Sequence, residues 1–245
     1  MIWVVFLLSA AAIVVAGTKL SHYGDRIAKL TGMGRLWIGV ILIAGATSLP
    51  EVVTDVSAAL IDAPDLAAGD LFGSNMANML ILGLIDIAHR QRRVWKQVAY
   101  EQTLIASLAV ALTGLAAVSI LFKSGIAYAG VGLDTLLLFL AYVFGMRVVY
   151  RQEDLKRRQR AREIVVESTS PPSEPTVRPP ALRSAAIGFG LATLAILIAA
   201  PFLASSAKEI ADQTGLGGTV VGTTLVAMTT SLPELVTAFA SVRAG

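Results

Sequence analysis

The chain has 245 residues, of which 55% are hydrophobic and 15% charged, with a mean hydropathy of +0.70 and a formal net charge of +3. So apolar a composition excludes an ordinary soluble domain and makes the bilayer the solvent in which the chain folds. With no cysteine and two histidines, disulfide frameworks, thiolate metal sites and histidine-rich clusters are excluded too, so metal chemistry must use oxygen ligands.

The apolar run 2–18 lacks a basic leader, and no A-x-A-like site introduces a polar chain after it. It is read as a first spanning helix rather than a cleaved signal peptide. Apolar stretches able to cross a hydrocarbon core of roughly 30 Å follow at 36–61, 66–88, 101–122, 130–150, 184–204 and 217–242. Between the fifth and sixth spans, RQEDLKRRQRAR passes into STSPPSEPTVRPP, a charged and proline-rich linker unsuited to a packed core. Three parts are predicted: a first half 1–150 with a repeat at 36–88, a linker 151–183, and a second half 184–245.

Eighteen of the 20 Lys and Arg fall in loops after spans one, three and five or past span seven, leaving Lys123 and Lys208 opposite. That bias predicts an outward amino terminus and a cytoplasmic 151–183 loop, in a plasma membrane of bacterial type. The positive charge is read as topogenic, over lipid-headgroup or partner binding, and no nucleic-acid partner is expected.

At an offset of 183 residues the chain repeats itself. TGMGRLWIGVILIAGATSLPEVVTDV (31–56) aligns with TGLGGTVVGTTLVAMTTSLPELVTAF (214–239). Span two leaves a basic loop whereas span seven ends at Arg243, so the two cross in opposite directions. Inverted repeats with interrupted helices point to a secondary transporter whose site lies near the midplane.

Pro50 and Pro233 remove backbone donors and should free carbonyls around Ala46 and Thr229. An ionised carboxylate at the bilayer centre costs about 2.5–3.5 kcal/mol on insertion scales, so Glu51 and Glu234 need a compensating role, and two of them facing each other predict a bound cation. Carboxylate, hydroxyl and carbonyl oxygens are hard donors suited to Ca²⁺ or Na⁺. Two carboxylates balance one divalent or two monovalent ions, which is the electrostatic basis of exchange.

In span three, GDLFGSNMANMLILG places Gly69 and Gly73 for close helix approach, and Ser74 and Asn78 at i, i+4 on one face. Asn75 lies on a neighbouring face. Asp55, one turn past Glu51, is read as a vestibule residue, and Asp70, Asp86 and Asp134, near span ends, as solvated or capping. His22 and His89 are expected to face water.

ATSLPE with GDLFGSNMAN in the first half, and TTSLPE in the second, resemble the alpha repeats of the calcium/cation antiporter superfamily, best in its sodium/calcium exchanger branch of prokaryotic type. The resemblance implies an all-α integral membrane protein, an inverted-repeat secondary transporter showing the first seven of ten transmembrane helices. It implies Glu51 and Glu234 as central ligands of the transported Ca²⁺ and Na⁺, with carbonyls of Ala44, Thr47, Ala227 and Thr230 and side-chain oxygens of Ser48, Ser231, Ser74 and Asn78. No organic cofactor is implied. A second G-D-L-F-G-S-N-like segment is expected near position 252, past Gly245, so the site as given would need further helices or self-association to be complete. Ala46 and Thr229 stand where the family often has glycine, a local departure, and 151–183 is too short for a calcium-sensing domain.

Two rival readings are kept: a Ca²⁺/H⁺ antiporter using the same glutamates, and a non-transporting membrane fragment. An intramembrane enzyme is set aside, because no Ser–His pair or metal-binding histidine set lies in the spans.

Overall fold

The computed structural model describes residues 1–31, 44–88, 94–122, 127–128, 131–167 and 179–244, nearly all of them helical. In chain order they form α1 (Ile2–Leu30), a helical turn at 44–47, α2 (Leu49–Leu60), α3 (Pro64–Ala88), α4 (Val94–Phe122), β1 (Ala127–Tyr128), β2 (Val131–Gly132), α5 (Leu133–Glu167), α6 (Pro179–Thr214) and α7 (Gly218–Val221). A π-helical turn (Gly222–Val226) then leads into α8 (Ala227–Ala244).

The chain divides into two compact units, one of residues 1–88 and 174–245, the other of 89–173. In the first, α1 packs mainly on α6, α2 lies on α6 and α3, and α3 packs on α7, the π-helical turn and α8. Its core is built from small side chains: Ala199, Ala200, Ala204, Ala207 and Ala211 of α6 are all buried, with Phe6, Ile13, Leu66, Leu203 and Ile210 filling between them. Small residues let helix axes approach closely, the packing that works where lipid removes any hydrophobic drive between helices. In the second unit α4 packs on α5, joined by a two-residue antiparallel pairing of β1 with β2.

Among the described residues, five stretches are long and apolar enough to cross a membrane: Ile2–Leu30, Leu104–Phe122, Leu133–Arg151, Ala181–Thr214 and Gly218–Phe239. Leu7, Leu8, Val15, Leu191, Ile198 and Phe202 are exposed on these helices, the surface a lipid solvent covers. The molecule is an all-α multi-pass membrane protein. Of the predicted second span, residues 36–43 lie outside the described residues. α3, the predicted third span, carries Asp70, Ser74, Asn75 and Asn78 within its first four turns.

Two elements differ from expectation. The linker expected from residue 151 begins as helix, since α5 runs on to Glu167. The stretch from Arg151 to Glu167 contains neither proline nor glycine and is rich in Glu, Gln, Lys and Arg, all good helix formers. The interrupted helix expected of the repeats is seen only at the first, and there the carbonyl release expected of Pro50 is not, since a proline frees a carbonyl only inside a helix. There the chain leaves the helix at Ser48 and Pro50 sits in the first turn of α2, where its missing N–H removes no bond. Pro233, by contrast, lies inside a continuous α8.

α2 ends at Leu60 with Ile61 as its C-cap, and the chain reverses through Asp62, whose φ of 55° is the left-handed conformation that aspartate tolerates. The Lys208 ammonium donates to the carbonyls of Ile61 (2.5 Å) and Asp62 (3.4 Å), satisfying the negative end of α2. Lys208→Met keeps the stem and removes the charge, so it should destabilise the fold by about 1 kcal/mol. A lowered melting temperature in detergent is expected, and an unchanged one would show that the cap contributes nothing.

Candidate cation site

The site begins with glycine. A Cβ on Gly73 would lie 2.6 Å from both Ala227 Cβ and Thr223 O, and one on Gly69 would lie 2.5 Å from Thr219 O. From the other side, a Cβ on Gly222 would meet Leu66 O, and Asp70 N at 3.0 Å. Three glycines therefore bring α3 and the second repeat to backbone contact. The π-helical turn, which lies just before TTSLPE, is part of that contact, and such turns are frequent at functional sites.

This approach places Thr230, fully buried, against α3. Its Oγ1 donates to Asp70 Oδ1 at 3.1 Å, and Ser74 Oγ donates to the same oxygen at 3.2 Å. The two hydroxyls are 3.3 Å apart. Asp70 is 1% exposed, which corrects the solvated or capping role expected of it. α3 starts at Pro64, so Asp70 lies in the second turn rather than at the end, and the Gly69–Gly222 contact shuts water out. Asp55 of α2 is half-buried and faces Asp70. Asp55 Oδ1 and Asp70 Oδ2 are buried and receive no other side-chain or backbone donor, and the two carboxyls face each other closely enough to share a proton.

Glu51 and Glu234, one from each repeat, are half-buried and near enough for their charges to act on each other. Ser231 Oγ lies 3.5 Å from Glu51 Oε1, while Glu51 Oε2 and Glu234 Oε2 are buried without a donor. α1 supports both repeats at one point. A Cβ on Gly17 would fall 2.7 Å from Pro233 Cγ and 3.3 Å from Pro50 Cγ, so this glycine accepts both proline rings.

The expected ligands are thus unevenly gathered. Glu51, Glu234, Ser231, Ser74, Thr230 and Ala227 lie in or beside the buried cluster, Thr47 is half-buried, and Ala44, Ser48 and Asn78 are exposed, as is Asn75. The Ala44 carbonyl accepts Ser48 N–H at 3.0 Å and Thr47 Oγ1 at 2.9 Å, which occupies both lone pairs, and Ala227 O accepts Thr230 Oγ1 at 3.3 Å. His22 is exposed as expected, and Asp134 accepts Thr135 N–H at 3.1 Å at the start of α5. The Asp86 side chain and His89 lie outside the described residues.

Among the described residues no three His, Cys, Asp or Glu side chains converge as a metal-holding group. The carboxylates act instead as pairs, with the hydroxyls of Ser74, Thr230 and Ser231 against them, an oxygen set suited to hard cations. Sequence reasoning missed Asp70 and the π-helical turn. The available signal for Asp70 was its i, i+4 spacing to Ser74, beside the Gly69–Gly73 pair that closes the helix contact.

An all-helical membrane protein with buried acidic side chains on repeated segments is a transporter of cations by class. The sodium/calcium exchanger protein family matches residues 1–148 and 184–245, and the chain belongs to that family of cation antiporters. It is similar to the inner membrane protein YrbG of Escherichia coli (strain K12), 29% identical over 248 residues that cover 98% of this chain and 72% of that protein. The uncharacterized membrane protein MJ0091 of Methanocaldococcus jannaschii is 26% identical over 236 residues, covering 93% of this chain and 70% of that protein. The sodium/calcium exchanger MaX1 of Methanosarcina acetivorans is 31% identical over 83 residues, 34% of this chain and 24% of that protein. No solved structure matches significantly.

Proposed function

We propose that the protein exchanges Ca²⁺ for Na⁺ by alternating access, using Glu51 and Glu234 as the central ligands, with one inverted repeat from each of the halves 1–150 and 184–245 and the 151–183 loop on the cytoplasmic side. The observation that carries this reading is the pair of half-buried glutamates, each with a buried oxygen that no protein donor satisfies. Buried carboxylates without donors require a cation or a proton, and two of them match the charge of one Ca²⁺ or two Na⁺. The name of MaX1 as a sodium/calcium exchanger supports the choice of ions. The cations are cargo, and no catalytic chemistry is assigned to the chain.

The test is ⁴⁵Ca²⁺ uptake into proteoliposomes loaded with Na⁺ or with choline, with and without an imposed proton gradient. Uptake should require internal Na⁺. Uptake that follows the proton gradient and ignores Na⁺ would replace the sodium reading with Ca²⁺/H⁺ exchange, in which protons occupy the same glutamates.

A further inference from the structure

Thr230 Oγ1 has four acceptors within reach: Asp70 Oδ1 at 3.1 Å, the Val226 and Ala227 carbonyls of its own helix at 3.2 and 3.3 Å, and Ser74 Oγ at 3.3 Å. A hydroxyl has one hydrogen and two lone pairs, so the acceptor that takes the hydrogen decides where the lone pairs point. A carboxylate is the stronger acceptor, because charge-assisted bonds are roughly twice as strong as neutral ones. Ser74 Oγ gives its hydrogen to the same Asp70 oxygen, from the opposite repeat.

Resting on the cation-site reading above, we propose that Asp70 is a positioning residue: it draws the Thr230 and Ser74 hydrogens toward α3, so that both hydroxyls present lone pairs to the transported cation. One buried oxygen thereby sets the orientation of two hydroxyls drawn from the two repeats, that of Ser74, an expected ligand, and that of Thr230, which the proposal adds to the expected Thr230 carbonyl. Without it, the Thr230 hydrogen returns to the carbonyls of its own helix and its lone pairs are reoriented.

Outer partners that orient metal ligands typically change affinity by about 10–100-fold when removed. In ⁴⁵Ca²⁺ scintillation binding to the detergent-purified protein, Asp70→Leu, which removes the acceptor, should weaken affinity by that factor. Asp70→Asn, which keeps a neutral acceptor, should lose only about three- to tenfold, in keeping with the weaker bond. In a Ser74→Ala, Thr230→Val background, Asp70→Leu should add nothing further, and this comparison decides the matter if the single Leu variant fails to fold. The proposal is overturned if Asn is as damaging as Leu, which would mean Asp70 acts through its charge, if neither variant changes affinity, or if Leu keeps its full effect in the hydroxyl-free background. Wild-type protein that binds no Ca²⁺ would sink the cation-site reading itself. Binding lost in Glu51→Gln but kept in Asp70→Leu would sink this inference alone.

Discussion

Glu51→Gln and Glu234→Gln should each reduce Na⁺-driven ⁴⁵Ca²⁺ uptake by more than about a hundredfold. Each glutamate supplies one of the two charges that balance Ca²⁺, and breaking a buried ionic arrangement by removing one partner costs about 3–5 kcal/mol, where 1.4 kcal/mol is tenfold. Glutamine keeps the volume and one carbonyl oxygen but turns an NH₂ donor toward the cation. A thermal readout separates lost binding from lost folding. Ca²⁺ at a hundred times its Kd should stabilise the wild type by about 2.7 kcal/mol, and the variants not at all. The variants should melt no lower than the cation-free wild type, because each removes a buried charge that lies near the opposing glutamate in this structure. Residual uptake above a tenth of wild type in either variant would remove that glutamate from the centre of the site.

How much of this was legible in the sequence varies with the kind of signal. The repeats, the glutamates and the helical class could be read because T-S-L-P-E recurs at a fixed offset and because long apolar runs have one stable form in lipid. Where the helices begin and end was less legible. α5 runs past its expected stop because charged residues carry a helix onward when no proline intervenes. Asp70 was misplaced for the same reason. A residue near the end of an apolar run looks solvated, yet α3 starts earlier at Pro64 and a glycine contact in the other repeat buries the carboxylate. Tertiary approach of this kind leaves only a faint mark, the Gly69–Gly73 and Asp70–Ser74 spacings, and nothing local announces the π-helical turn. The alignment also treats the two T-S-L-P-E segments as equals. In the structure Thr230 and Ser231 are buried while Ser48 is exposed, because α8 packs on α1 and α3 whereas the chain at Ser48 is leaving the helix.

Gly73→Val should remove both Ca²⁺ binding and much of the thermal stability of the protein. At this position even one methyl would sit 2.6 Å from Thr223 O and 2.7 Å from Thr223 Cα, atoms of a backbone that cannot swing aside as a side chain can. Overpacking a tight core costs about 1–3 kcal/mol, and valine adds two further methyls to the one already in conflict. The helices must separate to accept it, which pulls the Asp70 and Ser74 side of the cluster away from Thr230. Gly83 provides the control within the same helix, since a Cβ there meets nothing within 4 Å. Gly83→Ala should therefore be tolerated, and it should gain up to about 1 kcal/mol from helix propensity. The smaller change Gly73→Ala should fall between, and adding Ala227→Gly should recover only part of its loss, because that removes the Cβ contact and leaves Thr223 O in place. If Gly73→Val binds Ca²⁺ and melts like the wild type, the backbone contact between α3 and the π-helical turn does not hold the site together.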